Sequence, residues 1–402
     1  MKYSILKKPL LVASTLLLIS ACGGGGDDKK DDPTDPPQTT LATKQINDCD
    51  LAKGETLKLT NRNDKVDYLF TCQFSVQGQL IIEPGVKVEF ATATGLKVDD
   101  GSIQAKGTAT KPIILTGKNK VKGAWKGVFV DSPDVKNELS HVVIDYAGGG
   151  PFNSNGDTGG IIIYANAFLK VNNSTIRNSK TYGINASYGK ADITLSNNTI
   201  TACNTPIIVD GQYPTKITGG KYTGNSINAI VVSDDRISGD HTWRELGVPY
   251  RISNRLVVVA NSGKLVIKPG VTLEFESDGQ LSIDEGASGS PPSLIAVGTA
   301  EKPILFTGVN KVKGAWKGIY FDSPSPINEI AFATIEYASN LKQKGAIDVW
   351  GGTVLNVHHV NFKHIKGCSI NGKHDGYLDG VTRASLTHTD VTNEICENGL
   401  FL

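Results

Sequence analysis

Carboxylates are the side chains in this sequence best suited to catalysing the cleavage of a sugar chain. Inverting glycoside hydrolysis needs a carboxylic acid and a carboxylate on opposite sides of the scissile bond. Asp234-Asp235-Arg236 is the nearest match, and Asp240-His241 follows it. Both segments precede the second copy of an internal repeat, which is described below. We expect Asp234-Asp235-Arg236 to form a surface turn and Asp240-His241 to have a structural role. The sequence therefore predicts no catalytic residue.

Histidines are concentrated towards the C-terminus, where five of the seven lie. They are His358, His359, His364, His374 and His388. Imidazoles at this density could hold a metal ion or form a proton-sensing pair. However, His359 and His388 take the same place in a six-residue pattern as Asn173 and Asn197, where a small polar group suits a turn. We therefore expect structural histidines, no metal ion and no cofactor.

Two tryptophans lie in identical segments, which suggests a repeated binding surface. The nine residues NKVKGAWKG occur twice, and their tryptophans are Trp125 and Trp316. An aromatic ring offers a flat apolar face on which a sugar ring can stack. Phe129 and Tyr320 follow at equivalent positions and face outward if their neighbours point inward. These four residues are the predicted binding site; the alternative is that both tryptophans cover the core at a corner.

Six cysteines are present, and one of them belongs to the N-terminal segment discussed below. Cys49 and Cys72 lie at the start of the folded region, and Cys368 and Cys396 lie at its end. In an oxidising compartment each pair would form a disulfide, which would staple an end of the molecule. Cys203 has no partner in this scheme and is expected to be a small buried apolar residue.

Residues 1–22 have the features of a signal peptide. Three early lysines precede an apolar run over residues 10–19, which is too short for a permanent membrane-spanning helix. Ile19-Ser20-Ala21-Cys22 resembles the lipobox of bacterial lipoproteins, in which the cysteine thiol receives a diacylglyceryl group. The alternative is an ordinary signal peptide with a cysteine in this place by chance.

Residues 23–45 are rich in Gly, Asp and Pro and are predicted to be a disordered tether. Gly23, rather than Asp, follows Cys22, which in this class of signal favours the outer membrane. We therefore expect an outer-membrane protein held by its lipid anchor.

Charge argues against a nucleic-acid partner. Cleavage would remove Lys2, Lys7 and Lys8, which leaves 38 of the 41 basic residues against 40 acidic ones, a net charge of −2. No basic run or stripe is present. A neutral, mixed surface suits a partner such as a neutral glycan or another envelope or surface protein.

An internal duplication organises the rest of the chain. Residues 78–147 match residues 263–338, with LIIEPGV and LVIKPGV, KPI, and TG in corresponding places. Within each copy, short stretches alternate with period two and are separated by Gly, Pro, Asn and Asp, which is typical of strands and turns. Parallel pairing is expected because two-residue hairpin turns do not recur at regular spacing.

A six-residue pattern, apolar at its first and sixth places, recurs at intervals close to the length of one solenoid coil. It occurs at residues 139–144, 171–176, 195–200, 217–222, 330–335, 357–362 and 386–391. The third place holds His141, Asn173, Asn197, Gly219, Phe332, His359 and His388. A sharp turn between two faces of a coil would require a left-handed backbone there.

The segments LxIxPGVxxxF, KPIxxTG and GxWKGIxF are similar to those of bacterial right-handed parallel β-helix repeat proteins of the pectin-lyase-like superfold. The stretch from Thr242-Trp243 to Gly247-Val248-Pro249-Tyr250 is similar to a junction found before LxIxPG in that group. The resemblance covers roughly residues 65–400 and implies an all-β solenoid over residues 46–402. Its first copy would span about 65–235, and its second about 245–402.

The resemblance implies a fold and no particular activity, because many such proteins have no assigned function. Segments typical of pectate lyases and polygalacturonases are not found. Our leading hypothesis is a non-enzymatic, envelope-anchored protein that presents a lateral surface to a glycan or protein partner. A polysaccharide lyase or glycoside hydrolase and an architectural spacer are the alternatives.

Overall fold

The computed structural model describes residues 41–62, 65–233, 235–259, 263–284, 290–339, 344–374 and 376–397. The signal segment, Cys22 and most of the predicted tether lie outside these residues, as does Asp234. The fold begins slightly earlier than expected, because Lys44–Ile46 already form a strand. Within the described ranges, no helix is long and apolar enough to cross a membrane.

Short strands, as the period-two alternation predicts, form the first part of the fold. They are β1 (Lys44–Ile46), β2 (Asp50–Leu51), β3 (Thr56–Leu59), β4 (Tyr68–Phe70), β5 (Phe74–Val76), β6 (Gln79–Ile82), β7 (Lys87–Phe90), β8 (Leu96–Asp99), β9 (Ser102–Lys106), β10 (Ile113–Gly117), β11 (Val128–Asp131), β12 (Glu138–Ser140), β13 (Val142–Asp145), β14 (Ile161–Ile163), β15 (Phe168–Asn172), β16 (Thr175–Arg177), β17 (Tyr182–Ala186), β18 (Asp192–Ser196), β19 (Thr199–Thr201), β20 (Thr205–Val209), β21 (Ile217–Thr218) and β22 (Ile230–Val232). A 3-10 turn, Pro214–Lys216, precedes β21.

The second part is built in the same way. Its strands are β23 (Asp235–Ile237), β24 (Asp240–Trp243), β25 (Tyr250–Ile252), β26 (Arg255–Val259), β27 (Lys264–Ile267), β28 (Thr272–Phe275), β29 (Gln280–Asp284), β30 (Ser293–Val297), β31 (Ile304–Gly308), β32 (Ile319–Asp322), β33 (Glu329–Glu336), β34 (Gly345–Val349), β35 (Leu355–Lys363), β36 (Cys368–Gly372), β37 (Val381–Ala384), β38 (Thr387–Thr389) and β39 (Asn393–Glu397). Asp235 and Arg236 thus belong to a strand, so the surface turn expected there is wrong for the residues described.

Strands of successive coils pair in parallel and form stacked sheets along the molecule. Sheet A contains β1, β4, β7, β10, β13, β16 and β19, and sheet C contains β3, β6, β9, β12, β15, β18 and β21. Sheet B starts at β2 and β5 and continues into the second copy. Sheet D contains β23, β26, β29, β32, β34, β36 and β39. The prediction of an all-β parallel solenoid is confirmed.

The core is a continuous column of inward side chains, because alternate residues of each strand face the interior. One rung after another in sheet B contributes an apolar residue that is almost completely buried. From β11 onward this column is Val128, Ile161, Ile184, Ile207, Ile230, Tyr250, Leu273 and Phe306. Each coil therefore buries its apolar face only against its neighbours, as expected for a solenoid.

Left-handed turns occur where the six-residue pattern predicts them, with one exception. The third place has φ between 48° and 60° at His141, Asn173, Asn197, Gly219, Phe332 and His359. In the last pattern, residues 386–391, the left-handed residue is Asp390, with φ of 54°, and not His388; Ser385, directly before the pattern, is also left-handed, with φ of 52°. His388 pairs with Phe362 and its ring stacks 5.5 Å from that of Phe362. The His388 ring thus faces the interior on β38, the last strand of its stack, where it is only partly buried.

The second copy is displaced by one face of the solenoid relative to the first. Strands β7 and β10 belong to sheet A, but their sequence equivalents β28 and β31 stack on β22 and β25 and so continue sheet B. Likewise β11 lies in sheet B, whereas its equivalent β32 lies in sheet D. Equivalent elements of the two copies therefore face in different directions.

Disulfides close both ends of the solenoid, as predicted. Cys49 is bonded to Cys72 and Cys368 to Cys396. Cys203 is a free and fully buried thiol. Burial raises the pKa of this thiol to about 11, so it remains protonated and acts as a small apolar residue.

Candidate functional site

Both repeated tryptophans lie in the core and present no ring face to solvent. Trp125 and Trp316 are fully buried. The Trp125 ring stacks on Phe90 at 4.1 Å, and its indole N–H donates to the carbonyl oxygen of Asp145 at 2.8 Å. Trp316 has the same arrangement, with Phe275 at 4.1 Å and the carbonyl oxygen of Glu336 at 2.9 Å.

This geometry corrects the binding hypothesis for the two indole rings. A ring enclosed on all sides cannot stack on a sugar, and the structural-corner alternative describes both tryptophans. The tips of the two loops expose Val121 and Val312 instead, each 61% accessible. Seven ladder steps of sheet B separate β11 from β31, which at about 4.8 Å per step is about 34 Å. Because the copies lie on different faces, the two loops do not line one lateral surface.

Phe129 and Tyr320 point away from the core, as predicted, but only one of them is accessible. Phe129 is 2% exposed because the Phe152 ring stacks on it at 5.4 Å and the tilted Tyr164 ring packs against it at 5.6 Å between ring centroids. Tyr320 is half-buried. Tyr320 therefore remains a candidate for the predicted binding surface, whereas the geometry does not support Phe129 as part of it.

Two equivalent sets of outward side chains surround Phe129 and Tyr320, and we call them platforms. The first platform is Asp99, Phe129, Asp131, Tyr164 and Asn185 on or beside strands β8, β11, β14 and β17. The second platform is Asp284, Tyr320, Asp322, Trp350 and Asn371 on or beside strands β29, β32, β34 and β36. The pairing register makes the two sets correspond residue by residue.

Sequence reasoning missed Tyr164, Asn185, Trp350 and Asn371 because the recognised match between the two copies ends at Ala147 and Ala338, and it missed the four aspartates inside the match because nothing local marks them as a site. Continuing the comparison would have matched Ile184-Asn185 with Ile370-Asn371. Tyr164 and Trp350 have no shared identity, and only the strand register shows that they are equivalent.

The second platform combines accessible aromatic rings with balanced charges. Tyr320 and Trp350 are both half-buried. Arg255 forms an ion pair with Asp284 at 2.6 Å and donates to the Ser282 hydroxyl at 2.7 Å. The Lys373 Nζ lies 3.9 Å from the Trp350 ring centroid, a cation–π contact that covers part of the ring.

Beneath these rings lies a buried polar pair. The Asn371 side-chain amide donates to the Asp348 carboxylate at 2.7 Å, and the Gly345 N–H donates to the same oxygen at 3.1 Å. Burial raises the pKa of Asp348 to about 6, although these two hydrogen bonds act in the opposite direction. Burial also raises the pKa of the Tyr320 hydroxyl to about 12, so it is a hydrogen-bond donor at neutral pH. The Asn371 side-chain oxygen is buried and has no hydrogen-bond partner in the described part of the chain.

Asp348 should make the stability of the protein depend on pH. The folded carboxyl has a pKa of about 6, above its ordinary value of 3.8, so raising the pH from 4 to 7 favours the unfolded chain. The shift corresponds to about 3 kcal/mol. We expect Asp348→Asn, whose side-chain oxygen can accept both hydrogen bonds, to stabilise the protein at pH 7.5 and to have little effect near pH 4.

Urea unfolding at the two pH values measures this difference, with the exposed Asp278→Asn as a matched control. An equal effect of Asp348→Asn at both pH values would show that Asp348 does not hold its proton more tightly in the folded protein.

Other predicted polar residues take part in local structure. Asp240 forms an ion pair with Lys264 on the next coil at 2.6 Å, and the His241 ring is 2.9 Å from the carbonyl oxygen of Ser238. These contacts fit the structural role expected near the junction. The side-chain geometry of Asp234 and Asp235 is outside the described part of the structure.

The C-terminal histidines are also held by neighbouring side chains. His359 stacks on Phe332 at 4.5 Å, and His358 lies 2.9 Å from a Glu329 carboxylate oxygen. His364 stacks on Tyr337. These contacts fit structural histidines, and the described residues contain no group of three or more His, Cys, Asp or Glu placed to hold a metal ion.

Comparison with known families agrees with the architecture. Residues 84–240 match the family model described as a right handed beta helix region. Comparisons with curated proteins and with solved structures returned no match. The matched range covers the first platform and ends just before the junction, and the same parallel architecture continues through the second copy.

Proposed function

We propose that the protein is a non-enzymatic β-helix lipoprotein of the cell envelope that binds a neutral glycan at the second platform. The observation that carries this proposal is the pair of partly exposed rings, Tyr320 and Trp350, on adjacent rungs of one rigid sheet. Strand geometry separates their Cα atoms by about 8 Å. Rings on a regular sheet stay in place without a ligand, which lowers the entropy lost on binding.

The polar residues of the platform suit the hydroxyl groups of a sugar. The Tyr320 hydroxyl is a donor, and the carboxylate of Asp322 is an acceptor. The unpartnered oxygen of Asn371 offers a further acceptor at the base of the platform. Small numbers of fixed polar groups beside aromatic surface are typical of ligand sites.

A neutral ligand fits the charge of this surface better than an acidic one. Arg255 is already paired with Asp284, and Lys373 lies over Trp350. Positive and negative groups therefore alternate, and neither sign dominates. The near-neutral mature chain likewise provides little long-range attraction for a polyanion.

Oligosaccharide titration tests the binding site. We use chitohexaose and cellohexaose, which are neutral β-1,4-linked chains, and follow binding by calorimetry. Tyr320→Ala and Trp350→Ala should each weaken binding at least about tenfold, because central aromatic contacts usually contribute most to affinity. Phe168→Ala is the matched control, since its half-buried ring lies on sheet C, outside both platforms, and it should bind as the wild type does. Wild-type affinity in both platform variants would contradict the proposal, and a wild-type protein that binds no glycan would favour the spacer.

A glycoside hydrolase or polysaccharide lyase is the second candidate. Asp284 and Asp322 lie opposite each other on adjacent strands, as Asp99 and Asp131 do in the first copy. Retaining glycosidases place two carboxyl groups about 5 Å apart. Release of reducing ends or unsaturated products from chitohexaose, cellohexaose or polygalacturonate, abolished by Asp322→Asn, would establish this alternative. The proposal expects binding without product.

A further inference from the structure

The first platform differs from the second in what covers it. Eleven residues, 148–158, connect Ala147 to Gly159, whereas six residues, 339–344, make the equivalent connection in the second copy. The longer loop places the Phe152 ring over the first platform. This ring lies 5.4 Å from the Phe129 ring with an interplanar angle of 30°, a stacked arrangement.

A glycine makes room for Phe152 in the first copy alone. A Cβ added at Gly95 would lie 2.5 Å from the Phe152 ring, so a larger side chain there would displace the ring. The pairing register shows that Gln280 is the equivalent residue of the second copy. The space that the Phe152 ring occupies beside Gly95 is therefore specific to the first platform.

Polar groups of the same loop hydrogen-bond to Tyr164 of the first platform and to the neighbouring Tyr188. The Tyr188 hydroxyl donates to the Asp157 carboxylate at 2.9 Å. The Asn155 side-chain amide donates to the hydroxyl groups of Tyr164 and Tyr188, both at 3.3 Å. The Phe152 ring and the polar side chains of its loop thus cover the aromatic and polar side chains of the first platform.

We infer that the first platform is a second glycan-binding site, closed by the chain's own loop, with Phe152 in the position of a stacked sugar ring. The inference rests on the proposed function for the chemical class of the ligand. Because the copies lie on different faces, an opened first platform would bind a separate glycan chain, about seven coils from the first.

Removing the internal occupant should open the site. Phe152→Ala removes the ring, and Gly95→Ala displaces it while leaving the loop sequence intact. Each is combined with Tyr320→Ala and Trp350→Ala, which disable the second platform. We expect the Tyr320/Trp350 double variant alone to bind no chitohexaose, and both triple variants to bind one equivalent in calorimetry. In the wild-type background, Phe152→Ala should raise the stoichiometry from one to two.

The controls separate this inference from the proposed function. Phe168→Ala removes a half-buried aromatic ring from sheet C, outside both platforms, and should leave the stoichiometry unchanged. No chitohexaose binding by either triple variant would overturn the inference, whatever the wild type does. The comparison of the wild type with the double variant decides the proposed function independently, because the loop is unchanged in both.

Discussion

Trp125→Ala and Trp316→Ala are each expected to destabilise the fold by about 3–5 kcal/mol, the usual cost of removing a fully buried large aromatic side chain. Each substitution leaves a cavity beside a stacked phenylalanine and deprives a buried carbonyl oxygen of its hydrogen bond. The two variants should behave alike, because the ring contacts and hydrogen bonds of the two corners differ by only about 0.1 Å.

Urea unfolding and thermal melts measure this effect. Trp350→Ala is the matched control, because its ring is half-buried and its loss should lower stability much less. Glycan binding by whatever fraction remains folded should be retained in both corner variants. Unchanged stability in Trp125→Ala or Trp316→Ala would contradict the structural role of the corners.

Cys22→Ser should move the protein from the membrane fraction to the soluble fraction or leave it as an unprocessed precursor. The proposal of a lipid anchor rests on the lipobox-like segment and the polar tether after it. A hydroxyl cannot receive the thioether-linked diacylglyceryl group, and two acyl chains are what make membrane anchoring stable.

Membrane fractionation, together with metabolic labelling by a fatty-acid probe, measures this change. The double variant Cys49→Ser/Cys72→Ser is the control, because it also replaces cysteines but leaves the lipobox intact. It should remain labelled and membrane-associated. Unaltered labelling and sedimentation of Cys22→Ser would exclude Cys22 as the anchor.

Much of the architecture follows from local sequence. Period-two alternation and the duplicated LxIxPG segments predict parallel strands, because a strand must present alternate residues to one core. The positions that need a left-handed backbone are also recognisable, since Asn and Gly recur there. Cysteines at the two ends of the folded region pair with their nearest partners, as a capped solenoid requires.

Only the tertiary structure decides which side of a repeated element faces solvent. It also decides on which face of the solenoid each copy of that element lies. NKVKGAWKG reads as an exposed loop, but burial of Trp125 and Trp316 depends on Phe90 and Phe275, which belong to the preceding coil. The same is true of Phe129, which points outward and is then covered by a loop that is five residues longer than its equivalent in the second copy. Local sequence cannot show such contacts because they join residues of different coils.

The candidate site depends even more on tertiary structure. Tyr320 was predicted from its place after a repeated loop, whereas Trp350 and Asn371 become its neighbours only through the register of β32, β34 and β36. The displacement of the second copy by one face is set at the junction, where β22 pairs with β25. Residue types and their spacing thus determine the strands, turns and disulfides of this protein. Pairing between distant coils determines which side chains share a surface, because each coil of a solenoid finds its neighbours only after the chain has wound around the core.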